Sequence, residues 1–212
     1  MNEEQAILDF FSRPENLPLA LSVAEQMDKL REQMNNRLWR ELLSRLNASV
    51  KEHELAWRVE LTEDRNAPDS LVGLHCTPLT EQQLFLRPMM EQQYLGGEWR
   101  IYFGLVWSAA PAPDQLRSTH VSSLKSSLQK SGFKSNENFL AWQWTVFHPR
   151  HKDFLLSYAH QPEKLLDDVV AIFGKLLVNH RELIGQANEA LRTARPRSLS
   201  ASLDQLRDEL LD

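Results

Sequence analysis

The sequence predicts an α+β fold: a largely antiparallel sheet of about five strands packed against two or three long helices. Two observations carry this. Apolar residues step by three and four along 18–46 and again along 162–194, the period of helices with one buried face. Between them, short segments alternate apolar and polar residues with period two, and polar or glycine-rich turns return the chain from one to the next, as in antiparallel neighbours.

In order, Asn2 to Ser12 sets Ala6, Ile7, Phe10 and Phe11 on one helical face and ends before Pro14. From Pro18, placed as an N1 proline, Val23, Met27, Leu30, Met34, Leu38, Leu42 and Leu46 form one stripe, so one face of this helix is expected to lie on a sheet. Leu55, Trp57, Val59 and Leu61 then alternate with Ala56, Arg58 and Glu60 as a strand. A polar turn over 63–69, containing Pro68, leads to a returning strand from Leu71 to Cys76. Leu84 to Met90 is a third strand, with Pro88 marking an edge or an end.

Gly96-Gly97 turns the chain into a central strand, with Trp99, Ile101, Phe103, Leu105 and Trp107 on one face and Arg100, Tyr102 and Val106 on the other. Pro111 and Pro113 close it. Leu116, Val121, Leu124 and Leu128 belong to a helix that stops at Gly132, with Phe133 packing back on Leu128. Phe139 to Phe147 offers Leu140, Trp142, Trp144 and Val146 on one face as a fifth strand. A last helix starts at Pro162 and runs to about Ala194, with Leu166, Val169, Phe173, Leu176, Leu177 and Ile184 on its apolar face. Residues 1–194 read as one domain. Arg195-Pro196-Arg197-Ser198 reads as a hinge, and Ser202-x-x-Gln205 as a capping box opening a short tail helix. The stripe Leu203, Leu206 and Leu210 on that tail needs a partner surface and is the candidate partner-binding site.

Composition narrows the function. At 212 residues with 42% hydrophobic and 25% charged residues the chain has enough material for a folded core. The longest uncharged, largely apolar stretch, Ile101 to Pro113, is too short to cross a bilayer and contains two prolines. The opening Met1-Asn2-Glu3-Glu4 lacks a basic start and an apolar run, and a lone cysteine suits a reducing compartment, so a cytoplasmic protein without a membrane partner is expected. Net charge of −5 disfavours a broadly basic nucleic-acid surface.

No catalytic constellation emerges. The glycine-rich phosphate loops, the nucleophile elbow and the paired-histidine zinc motif are absent, so no cofactor, metal or catalytic residue is assigned. His148 and His151 have a spacing two zinc ligands can use, without a completing set nearby. His180 and Cys76 read as packing residues, with His75 on the opposite strand face from Cys76. The tryptophans read as core rather than as base-stacking platforms. Arg192, Arg195 and Arg197 are accounted for by a helix C-terminus.

The run from Ala6 to Leu21, the segments Arg37-Leu-Trp-Arg-Glu-Leu and Arg100-Ile-Tyr-Phe-Gly-Leu, and Trp142-Gln-Trp before the Pro162-Glu-Lys-Leu helix together resemble the C-terminal half of bacterial PD-(D/E)XK nuclease-superfamily proteins. The resemblance implies a metal-dependent nuclease setting, but the catalytic triplet is missing: none of the eight lysines has Asp or Glu two positions before it. The expectation is therefore an accessory, non-catalytic interaction or regulatory module with a protein partner, tied to a bacterial nuclease or phage-defence system. The alternatives are a degenerate metal-dependent nuclease using Glu60, Asp64 and Asp69, and a nucleic-acid-binding module without catalysis.

Overall fold

A computed structural model describes residues 2–62, 72–92 and 99–192. The period-two segments pair in chain order into a five-stranded sheet, β1 (Trp57–Leu61), β2 (Val72–Pro78), β3 (Leu86–Gln92), β4 (Ile101–Trp107) and β5 (Phe139–Trp144), every neighbouring pair antiparallel. The helices are α1 (Glu3–Phe11), α2 (Leu17–Glu52), α3 (Pro113–Leu116), α4 (Thr119–Lys130), α5 (Lys152–His160), α6 (Pro162–Asn179) and α7 (Arg181–Leu191). No described helix is long and apolar enough to cross a membrane. The α+β fold with a five-stranded antiparallel sheet is as the periodicities require.

β4 is buried along its whole length, as a strand between two others should be. One face of the sheet carries Leu74, Cys76, Met90, Ile101 and Phe103, and helices pack there. Phe103 meets Phe173 of α6 with ring centroids 6.5 Å apart and Phe133 at 5.4 Å, both edge-to-face. Trp39 of α2 donates its indole N–H to Gln92 at 2.7 Å. The stop at Gly132 forms as expected: its φ is 87°, its N–H donates to Gln129, and the Phe133 N–H reaches back to Leu128.

Pro88 lies inside β3, a strand with neighbours on both sides, yet β2 pairs only as far as His75 opposite Met89. The missing N–H therefore falls beyond the end of the β2 pairing, which reconciles a proline with a central strand. Two residues earlier, Leu86 faces the same gap, and α7 fills it. Asn188 accepts from the Leu86 N–H at 2.7 Å and donates to the Leu86 carbonyl at 3.1 Å, so its amide stands in for a strand.

Three expectations change. The last helix breaks at His180 into α6 and α7, and α5 precedes both. In β5, a bulge opposite Leu105 and Val106 inserts Leu140, so Phe139, not Leu140, joins Trp142 on the face of Tyr102; Val146 is exposed. Along α2 the stripe is buried at Leu38, Leu42 and Leu46 but exposed at Val23 and Leu30.

Chain contacts define two compact units, residues 1–37 and the residues from Leu38 onward. The first unit is built by local rules. Asn2 caps α1 through its side chain, and Glu3 and Glu4 sit at the positive end of the helix dipole. Beyond Pro14, the Asn16 side chain donates to the Phe10 carbonyl at 2.9 Å, closing α1 just before α2 begins.

Candidate functional site

From Glu3 to Met34 no residue is buried. Exposed large apolar side chains concentrate in this stretch: Ile7, Leu8 and Phe10 on α1, and Leu17, Leu19, Leu21, Val23 and Leu30 on α2, each between 45% and 61% exposed. Leu19 and Val23 lie on the stripe that continues down α2, while Leu17, Leu21 and Ala24 form a second stripe beside it. Phe11, Ala20, Val23, Ala24 and Met27 line a groove of about 470 Å³, together with Asp28 and Arg31, which pair at 3.0 Å.

α1 has nine residues, shorter than the roughly 12–15 at which even good helix formers become marginal in water, and it buries nothing.

The other sheet face is polar and aromatic. Glu60 accepts from the Thr77 hydroxyl at 2.5 Å and from Arg58 at 3.0 Å, with His75 Nε2 at 3.5 Å. The Thr77 hydrogen bond, with the charges of Arg58 and His75, holds the Glu60 carboxyl below its usual range. Burial, reinforced by Arg87, holds the His75 imidazole below its own. Burial pushes Glu91 up, although the Tyr102 hydroxyl donates to it at 2.6 Å, and it pushes Tyr102 well above 10. Gly73 leaves room for Glu91, since a Cβ there would stand 2.3 Å from the Glu91 Cγ. Both Glu60 oxygens already hold donors, so this cluster is a cross-strand hydrogen-bonded ladder and not a free base. At the β5 edge, Arg100 stands 5.1 Å over Trp144 and Lys134 5.8 Å over Trp142, both cation–π contacts.

The residues singled out in the sequence separate accordingly. Glu60 is engaged as described, while Asp64 and Asp69 lie outside the described residues. So do Arg195, Arg197, Leu203, Leu206 and Leu210. Arg192 pairs with Glu189 at 3.0 Å. Cys76 is fully buried, and burial pushes its thiol up to about 12, which makes it inert. His148 and His151 do come together, their rings stacked 4.4 Å apart. Among the described residues, no three His, Cys, Asp or Glu side chains are grouped to hold a metal ion. His180 sits at the α6–α7 break, where burial lowers its pKa. Trp39, Trp99, Trp107 and Trp142 are buried, as core tryptophans should be, while Trp57 and Trp144 are half-buried.

Sequence reasoning missed the exposed helical surface. The signal was present in the uncharged run Leu17 to Ala24, whose two adjacent stripes are wider than burial against one surface requires. Searches against models of protein families, curated proteins and solved structures return no match.

Proposed function

We propose that the chain is a non-catalytic interaction module that binds protein through residues 3–34. The exposed apolar surface there is the observation that carries this reading. Its large aliphatic and aromatic side chains suit a protein surface, and a net charge of −5 does not favour a polyanion. The resemblance to PD-(D/E)XK proteins extends the proposal to a module serving a bacterial nuclease or phage-defence system.

The test is capture on the immobilised chain, with a differently tagged copy of the same chain among the candidates and each capture run with and without added nuclease. The expected result is a protein retained by the unmodified chain and lost with the Leu19→Asp, Leu21→Asp double variant. Retention that vanishes on nuclease treatment, or that the double variant leaves intact, overturns the proposal.

A second reading, a nucleic-acid platform, is favoured by the paired cations and tryptophans at the β5 edge. Bases stack on aromatic faces while neighbouring cations meet phosphates. Affinity for a labelled single strand that falls steeply with salt and drops on Trp144→Ala would support it.

A further inference from the structure

We infer that the cavity between α7 and the ends of β1 and β2 is a small-molecule site, and that it takes a compact planar organic anion of the aromatic carboxylate kind. It uses none of residues 3–34 and stands independently of the interaction reading above.

The cavity measures about 290 Å³, near the lower end of the roughly 300–1,000 Å³ typical of ligand sites. At roughly 30 Å³ for each water-sized group, it holds on the order of ten non-hydrogen atoms. One side is apolar: Leu55, Trp57 at the start of β1, Pro78 at the end of β2, and Ile184 of α7. Trp57 shares a sheet face with the buried Val59, yet it is only half-buried and lines the cavity. A flat ring can lie against that indole.

The polar side is cationic and held in place. Arg181 donates to the carbonyls of His53 and Glu54, both at 3.1 Å, across a turn in which Glu54 takes a φ of 50°. Those bonds orient the guanidinium without neutralising it. Among the described residues no carboxylate pairs with Arg181, whereas Arg31, Arg45, Arg58 and Arg192 each have at least one. Arg192 also lines the cavity and pairs with Glu189 at 3.0 Å, so the charged lining residues Arg181, Arg192 and Glu189 leave one positive charge in excess. A fixed guanidinium with N–H groups to spare is suited to a carboxylate.

Gly185 lines the same cavity from the interior of α7, where glycine is a poor helix residue. Its φ is not positive, and a Cβ there would meet no heavy atom within 4 Å beyond its own helix. Neither a turn nor close packing requires this glycine; its effect is to leave space open.

The test is nuclear magnetic resonance titration of the full chain with benzoate and indole-3-carboxylate, and with the neutral benzamide and indole-3-carboxamide. Saturable shifts at millimolar acid are expected at amides of α7 and β1 and at the Trp57 indole, with the amides binding at least roughly ten-fold more weakly. Arg181→Gln should erase that preference for the charged probe, and Gly185→Leu should weaken both probes by filling the cavity. No saturable shift with either carboxylate, or shifts centred on residues 3–34, overturns the site. Equal binding of acid and amide overturns the anion. Binding that both Arg181→Gln and Gly185→Leu leave unchanged also overturns the site.

Discussion

The two halves of α2 share one periodicity and have opposite surroundings. From Leu38 onward its apolar stripe is buried: Trp39, Leu42 and Leu46 show no accessible surface. Polar partners fix them in register. Trp39 bonds Gln92, Glu41 accepts from the Tyr158 hydroxyl at 2.7 Å, and Arg45 pairs with Glu163 and Asp167 of α6. Before Arg37 the same stripe carries Val23 and Leu30 in the open, and Arg31 pairs with Asp28 one turn away in its own helix. Periodicity specifies that a face is apolar, whereas the residues able to bond across to another element specify what covers it.

The largest expected effect comes from breaking the buried half. Trp39→Ala removes a fully buried indole and leaves the Gln92 side chain without its donor, a loss of about 3–5 kcal/mol by urea unfolding. Trp39→Phe isolates the hydrogen bond and should cost less. If Trp39→Ala costs no more than a substitution in the exposed half, the distinction between the halves fails.

That distinction explains what was legible in the sequence. The sheet was readable because alternation with period two is a local property of each strand, and turns such as the one at Gly132 advertise themselves through a residue type. The break at His180 is marked by neither glycine nor proline, so one apolar face runs continuously across it in the sequence. The β5 bulge is set by pairing with β4, which single-strand alternation does not encode. Pro88 marks neither an edge strand nor a strand end: β3 lies between β2 and β4, and only its pairing with β2 stops short of that residue. The exposed helical surface was hidden because a covered stripe and an uncovered one have the same spacing; the uncharged run from Leu17 to Ala24 was the available clue.

A smaller effect tests the buried region by pH, and its two groups act with opposite sign. His75 has a folded pKa below its unfolded value of 6.5, so its contribution is complete above about 6.5 and is lost as pH falls through the folded pKa. Glu91 has a folded pKa above 4.5, so its contribution is complete below that value and is lost as pH rises through the folded pKa. In urea unfolding across this range, His75→Asn should flatten the acid-side decline and Glu91→Gln the decline on raising pH. Unchanged pH slopes in both variants would show that burial in the sheet does not govern these groups.

The smallest effect belongs to the exposed half, and its smallness is the point. Leu19 is 59% exposed, so in the isolated chain Leu19→Ser removes little burial and should lower the unfolding free energy by less than about 0.5 kcal/mol. With the captured protein added the same substitution should matter, because a partner that binds the folded form stabilises it by mass action. The rise in urea midpoint on adding that protein to the unmodified chain, and its loss in Leu19→Ser, therefore separates a surface awaiting a partner from one that is merely apolar. A large loss in the isolated chain would mean that Leu19 supports its fold, and the two halves of α2 would then differ in degree and not in kind.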